Sequence, residues 1–248
     1  MSPLRGNALT MGVDRSLYMG EMPASGWHCH AAPVLLLGLS GRFALHRAPG
    51  QFEHCHSALV DAGVWHLFDP CGERVALVYL EPDAPEARAL RTVLASAGGV
   101  MLDMARPVVS RSATETALHS FDLPRLLQCG VPDAVPPLDA RVARSLQALR
   151  QPQAARMGRG DLAAGVHLSA SRFNHLFRAE MGVSLRSYRV WSQVRLAMAG
   201  LALSPRLTDA ALHGDFADSA HFSRMFRQTF GMTPSSITRP LRSVTLLR

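Results

Sequence analysis

Apolar positions along this chain fall into two textures that meet near residue 135. Between residues 27 and 80 they come in short runs, at 34–39, 42–46, 58–60, 65–68 and 74–80. Turn signals separate the runs: Ser40-Gly41, Pro49-Gly50, Asp61-Ala62-Gly63 and Asp69-Pro70-Cys71-Gly72. Several short strands at this spacing predict a small all-β sandwich or barrel. Residues 1–25 scatter Gly, Pro and Met and read as irregular. Residues 85–97 switch to helical spacing, with Ala87, Leu90, Val93 and Leu94 on one face and Gly98-Gly99 as the stop. A weaker helix is expected over 114–129, bent near Pro124. Both helices are expected to pack on the barrel or on a second subunit.

Residues 131–137 hold Pro132, Pro136 and Pro137, which cannot continue a helix and stiffen a connector. The expected division is therefore a domain over 1–134 and another over 135–248. Beyond it the period is helical throughout. Asp139 is placed to cap a helix to about residue 150, with Val142, Leu146 and Leu149 on one face. Asp161 is expected to cap a helix over 162–166, and Ser169 a helix over 170–181 that Gly182 stops. Ser184 starts a longer helix whose stripe is Leu185, Tyr188, Trp191, Val194, Met198 and Leu201. At roughly 18 residues it would rise roughly 27 Å, against about 34 Å for one turn of B-DNA. Thr208 or Asp209 starts another pair of helices. Asp218 or Ser219 caps the second of that pair, which Gly231 stops. Thr233-Pro234 opens a short helix, and residues 241–248 fit no element.

An internal repeat lies inside this helical part. At an offset of 49 residues Gly165 meets Gly214, Phe173 meets Phe222, and Phe177 meets Phe226. Arg178 likewise meets Arg227, and Gly182 meets Gly231. Charge segregates with it. Residues 1–140 carry 10 Arg and 14 acids, whereas residues 141–248 carry 16 Arg and 5 acids. The whole-chain net of +7 hides that split, and there is no Lys. A basic helical part tied to a mildly acidic one fits a DNA-binding module under the control of its partner domain. The longest apolar run, residues 33–39, is far short of a membrane span, and no apolar signal core opens the chain, so a cytoplasmic protein is expected.

Helical projection of residues 170–181 puts Phe173, Leu176 and Phe177 inside and Ser171, Arg172, Asn174, His175 and Arg178 outside. In the second copy Phe222, Met225, Phe226 and Phe230 go inside, and Ser219, His221, Ser223, Arg224 and Arg227 stay outside. Such side chains can meet base edges and phosphates from a helix in the major groove. Residues 139–240 resemble the DNA-binding domain of the AraC/XylS family of transcription regulators, most clearly over residues 215–234, Asp-Phe-Ala-Asp-Ser-Ala-His-Phe-Ser-Arg-Met-Phe-Arg-Gln-Thr-Phe-Gly-Met-Thr-Pro. Two departures stand out: Ser235-Ser236-Ile237-Thr238-Arg239 follows the closing Thr-Pro, and residues 208–213 are a loose version of the usual start. The resemblance implies two helix-turn-helix units in successive major grooves. Ser171, Asn174 and His175 would read bases in the first, with Arg172 and Arg178 near phosphates. Ser219, His221, Ser223 and Arg224 would read bases in the second.

Six of the 11 His lie within residues 28–66, including His28-Cys29-His30 and His54-Cys55-His56. On a strand, residues i and i+2 face one way, so each pair could offer two imidazoles to one ion. Cys29 should then point away. Residues 20–82 resemble a cupin barrel, with His28, His30 and His66 at the inward histidines and Val34 and Leu35 where a Glu is usual. The resemblance implies a site on His28, His30 and His66 that takes a small organic ligand or a divalent transition metal ion, unless the barrel keeps these histidines without any ligand. His54 and His56 would form a second site, or lie on a loop or outer strand. The fold expected is thus α+β with two domains: a small cupin-like β-barrel with trailing helices, then an all-α domain of two helix-turn-helix units joined by a long helix. The function expected is a DNA-binding regulator, not an enzyme. It would act as a homodimer, most often in this family by activation through RNA polymerase, with no membrane partner. A metalloenzyme barrel tethered to DNA and a constitutive DNA-binding protein with a purely dimerising barrel are the competing readings.

Overall fold

The computed structural model describes residues 6–104, 135, 137–150 and 157–247. The helix expected over 114–129 and most of the proline linker lie outside them. Nine strands come from the N-terminal part: β1 (Asn7–Met11), β2 (Arg15–Gly20), β3 (Val34–Gly38), β4 (Phe43–Ala48), β5 (Gln51–Cys55), β6 (Ser57–Val60), β7 (Leu67–Asp69), β8 (Val75–Leu80) and β9 (Val100–Leu102). Helix α1 (Pro85–Ser96) precedes β9, and β10 (Leu241–Leu246) comes from the far end of the chain.

These strands make two sheets and no closed barrel among the described residues. The larger runs β10-β1-β2-β8-β3-β6-β9, and the smaller β5-β4-β7. Alternation along β2, β3 and β8 explains the layering. Leu17, Leu35, Leu37, Val78 and Leu80 face one side and bury Leu90 and Leu94 of α1. Tyr18, Val34, Leu36 and Leu77 face the other, toward Phe43 and Phe68 of the smaller sheet and toward the C-terminal helices. A sheet buried on both faces reads as continuous apolar runs, as residues 34–39 and 74–80 do.

The sequence reading missed β1 and β2 because their buried positions include Asn7, Thr10 and Ser16. Asn7 is satisfied in place: its Nδ2 donates to Tyr18 Oη at 2.8 Å and to Glu21 O at 2.7 Å, and its Oδ1 accepts from Glu21 N at 3.0 Å. A buried polar group so paired costs little, but it breaks the apolar alternation that signals a strand.

The C-terminal helices are α2 (Ala140–Leu149), α3 (Arg159–Ala164), α4 (Ala170–Met181), α5 (Leu185–Gly200), α6 (Leu207–His213), α7 (Ser219–Phe230) and α8 (Pro234–Thr238). Capping follows the sequence closely. Asp139, Ser169, Ser184 and Asp218 each accept a backbone N–H of the first turn, and Gly182 and Gly231 end α4 and α7 in the left-handed region. Asp161 is the exception. It sits three residues past the N-cap Gly158 and accepts that residue's N–H at 2.6 Å, because α3 begins earlier than the apolar pattern suggests.

Helix α5 has 16 residues and so rises about 24 Å, a little less than expected. All six residues of the Leu185–Leu201 stripe are buried. Leu185, Tyr188 and Trp191 pack with Phe173 and Phe177 of α4, while Val194, Met198 and Leu201 pack with Phe222 and Phe226 of α7. One helix therefore carries both halves of the repeat.

The two parts of the chain are docked. Arg195 on α5 meets Glu81 at 2.7 Å and donates to Gly12 O and Val13 O. Trp191 Nε1 donates to the Glu81 carboxylate at 3.1 Å. Arg91 on α1 donates to the Glu180 and Ala179 carbonyls at the end of α4, at 2.8 and 3.0 Å. Residues 241–246, unplaced by sequence, pair parallel to β1 as β10, so the last element of the chain completes an edge of the first sheet.

Gly26 N donates to Gly231 O at 2.8 Å. A Cβ at Gly231 would lie 2.3 Å from Gly26 O, whereas one at Gly182 would meet only the flexible Arg91 side chain, at 2.9 Å. Both glycines have positive φ, so alanine strains either by about 1–2 kcal/mol. Gly231→Ala is expected to lower the urea midpoint clearly more than Gly182→Ala, because backbone must move at the junction. Equal losses would mean that this docking contributes no stability.

Candidate nucleic-acid interface and histidine site

The helix pairs α3–α4 and α6–α7 repeat in detail. In each, the turn contains a non-glycine residue in the left-handed region, His167 with φ 57° and Asp215 with φ 57°. Each second helix has 12 residues, an acceptor side chain at the N-cap and a glycine at the C-cap. The aromatic face goes inward: Phe173, Phe177 and Phe222 are fully buried, with Phe226 nearly so.

The outer faces differ between the copies. On α4, Ser171, Arg172, His175 and Arg178 are exposed and Asn174 is half-buried. Ser171, Asn174, His175 and Arg178 line one open groove together with Arg186 and Arg189 of α5. The cations of α5 could not be assigned from the repeat, since that helix has no second copy. On α7, Arg224 and Arg227 are exposed, and Ser219, His221 and Ser223 are half-buried. His221 lies edge-on to Phe216, with ring centroids 5.3 Å apart. Ser223, Arg224 and Arg227 line a cleft whose other wall is Trp27 and Trp65 of the N-terminal part. Those two indoles are 37% and 59% exposed, unusually open for tryptophan.

One residue beyond each tryptophan stands a histidine. His28 and His66 pair backbone to backbone in an antiparallel bridge, with both N–H···O distances 3.0 Å. His30 completes a cluster: one ring nitrogen from each of His28, His30 and His66 lies within 4.8 Å of the others. The sequence placed His28 and His30 on a strand. They lie instead on an extended segment outside the named strands, yet both rings still join the cluster, 5.7 Å apart. His54 and His56 do not join it. Both are exposed, His54 on the edge strand β5 and His56 just beyond it. Cys29 is half-buried and outside the cluster, and burial pushes its thiol up.

Each Nδ1 of the trio is held by a backbone carbonyl: His28 by Gly26 O at 3.0 Å, His30 by Ala32 O at 2.6 Å, and His66 by Val64 O at 2.9 Å. An Nδ1–H that donates to a carbonyl leaves Nε2 as a lone pair. Burial, and then mutual repulsion, keep the rings neutral. His66 is pulled down to about 4 and His30 well below its ordinary value. His30 Nε2 is buried with no hydrogen-bond partner among the described residues. His30 also touches the second part of the chain, its ring 6.2 Å from Trp191 and 6.4 Å from Phe230 by centroid.

Next to the trio lies a cavity of about 80 Å³ between the two parts. His28, His66 and Tyr79 line it from one side, and Trp191, Arg195 and Phe230 from the other. The sequence pointed to the histidines but not to this cavity, because one wall of it comes from residues more than 100 positions away. No described helix is long and apolar enough to cross a membrane.

Comparison with known proteins agrees with this geometry. A helix-turn-helix domain family matches residues 162–239. The arabinose operon regulatory proteins of Salmonella typhimurium and Escherichia coli are each 36% identical over 104 residues, 40% of this chain. The chain spans about a third of the length of these curated relatives, 36% and 35%. These relatives are transcription regulators, not enzymes. An apo crystal structure of ToxT from Vibrio cholerae covers 91% of this chain and 96% of its own, with TM-score 0.59 and 11% identity. An unsaturated fatty acid bound form of ToxT covers 93% and 96%, with TM-score 0.53 and 11% identity. At that identity the likeness is one of fold: a sheet-rich part followed by a helical part.

Proposed function

We infer that this chain, which belongs to the AraC/XylS family of transcription regulators, reads an asymmetric DNA site with α4 and α7 held in fixed register by α5. The observation that carries this is the repeated helix pair, its second helix capped alike in both copies, the two pairs joined by one buried stripe in the strongly basic part of the chain. Ser171, Asn174 and His175 read bases from α4, with Arg172 and Arg178 at phosphates. Ser219, His221, Ser223 and Arg224 read from α7, with Arg227 at a phosphate.

A small effector at the junction of the two parts sets this reader. The His28–His30–His66 trio and the adjoining apolar cavity are the place for it, since a ligand there touches β-sheet, α5 and α7 at once. The fatty acid bound by ToxT, a protein of the same fold, supports an organic effector with an apolar body. Activation through RNA polymerase and dimerisation are carried over from the family resemblance.

Roles on the reading face separate by mutation. Asn174→Ala is expected to cost about 1–3 kcal/mol at one base position and to relax preference there. Arg227→Ala is expected to weaken all duplexes alike and to reduce the salt slope by about 1. Fluorescence anisotropy with a selected duplex and its single-base variants measures both. Loss of affinity in both variants with no change in preference would sink the assignment.

A further inference from the structure

We propose that His28, His30 and His66 hold one divalent transition-metal ion of the Zn²⁺ type through their Nε2 atoms, and that loading it stabilises the docked arrangement in which Ser223, Arg224 and Arg227 of α7 face Trp27 and Trp65. The inference deepens the effector reading above and rests on it. Three observations carry it.

The first is convergence. Three buried imidazoles each bring one ring nitrogen within 4.8 Å of the other two, and a ring whose Nδ1–H is given to a carbonyl keeps its lone pair on Nε2. A hydrogen-bonded trio would need a donor there, and His30 Nε2 has no partner among the described residues. The second is the outer shell. All three Nδ1 atoms are fixed by backbone carbonyls, the arrangement that sets ring orientation and tautomer in histidine metal sites. Three neutral nitrogens without thiolate or carboxylate suit Zn²⁺, Co²⁺, Ni²⁺ or Cu²⁺ rather than Mg²⁺ or Ca²⁺. His28 and His66 border the cavity, so the fourth position faces it and takes water or a ligand donor atom.

The third observation links the site to DNA. A ligand shifts an equilibrium only by binding its two states unequally. Here that difference comes from His30, whose ring is set against Trp191 of α5 and Phe230, the last residue of α7. The complete donor set thus belongs to the docked state. The His28–His66 bridge carries Trp27 and Trp65 on the neighbouring positions, across the cleft from the outer face of α7. In the docked state Trp27 and Trp65 stand beside Ser223, Arg224 and Arg227, so this face of α7 is freer to enter a major groove when the docking loosens.

The test uses the full chain stripped with chelator and titrated with Co²⁺, followed by visible absorption. One Co²⁺ per chain, displaced by Zn²⁺, is expected. Loss of even a supporting group around a metal costs about 10–100-fold in affinity, so His28→Ala, His30→Ala and His66→Ala should each lose at least that much. His54→Ala should lose nothing. Wild-type thermal unfolding with and without Zn²⁺ guards against variants that do not fold: a Zn²⁺-dependent rise in Tm is expected. No Co²⁺ bound and no rise in Tm would overturn the site, as would binding unchanged in the three variants. DNA affinity is then measured for a duplex that the protein selects from a random pool, with Zn²⁺ and with chelator. Chelation should tighten binding by about fivefold or more, the lower end of ordinary coupling. Equal affinity would overturn the link while leaving the ion in place. Failure of both forms to bind any duplex would instead sink the regulator reading and leave the metal result intact.

Discussion

Arg195→Ala is expected to cost about 3–5 kcal/mol of stability, because it leaves the Glu81 carboxyl buried without its cation. Glu81 lies buried at the junction, with its side chain 11% exposed. Burial pushes it up to about 7 from its ordinary 4.5, while Arg195 and the Trp191 N–H pull it down, Asp83 raises it and Arg150 lowers it. The sign of the pH effect follows. Below about pH 4.5 the carboxyl is neutral whether the chain is folded or not. Between 4.5 and 7 the unfolded chain releases its proton first, so stability falls as pH rises, by up to about 3 kcal/mol from this group. Glu81→Gln should flatten that slope. The Arg195→Ala penalty should be larger at pH 8 than at pH 5, because only the ionised carboxylate misses its partner. Urea unfolding at both pH values measures it, and a penalty independent of pH would show that the ion pair is not what holds Arg195 in place.

The second large effect belongs to the aromatic cores. Phe177 and Phe226 occupy matching positions, are 0% and 2% exposed, and each should cost about 3–5 kcal/mol as alanine. Their consequences should differ. Phe177 packs on Phe173 and Tyr188, within the first helix pair and α5. Phe226 packs on Phe222 and Phe230 and belongs to the cluster that continues into Tyr18 and Leu36 of the sheet. Phe226→Ala should therefore also loosen the docking, seen as faster proteolysis at the junction, and more so than Phe177→Ala, whose cluster reaches the N-terminal part through the small buried Ala31 and Ala32. Because α5 spans both cores, calorimetry of either variant should show the helices melting together. A surviving transition for the untouched pair would mean that the two pairs are independent.

Much of this was legible in the sequence, and the reason is local. The repeat at an offset of 49 residues gave matched caps and glycine stops, and Ser169, Asp218, Gly182 and Gly231 occupy the positions those signals imply. Strands β3, β4, β6, β7 and β8 fell within one or two residues of the apolar runs. What could not be read is what depends on distant partners. Strand β5 is almost wholly exposed, so nothing marks Gln51 or Glu53 as strand until β4 pairs with them. Strand β10 alternates weakly and acquires meaning only beside β1. Of the sandwich or barrel expected, the described residues show two sheets without closure: β10 and β9 end the larger sheet separately instead of meeting.

The histidine trio was half legible. His-x-His spacing named His28 and His30, and the cupin-like segment named His66. The local geometry assumed for them was a strand, whereas the convergence comes from a two-residue bridge and from Trp191 and Phe230 pressing on His30. Those last contacts, and the cleft beside Arg224 and Arg227, come from docking between parts that sequence treats as separate.

The account rests on α4 and α7 acting as one reader with two different faces. Selection of bound duplexes from a random pool by the full chain, with sequencing of the survivors, tests that most directly. The expected result is two preferred blocks per monomer, about one helical turn apart and different in sequence, the block that responds to Asn174→Ala being distinct from the one that responds to Arg224→Ala. A single block, or two identical blocks in inverted repeat within one monomer's footprint, would contradict it.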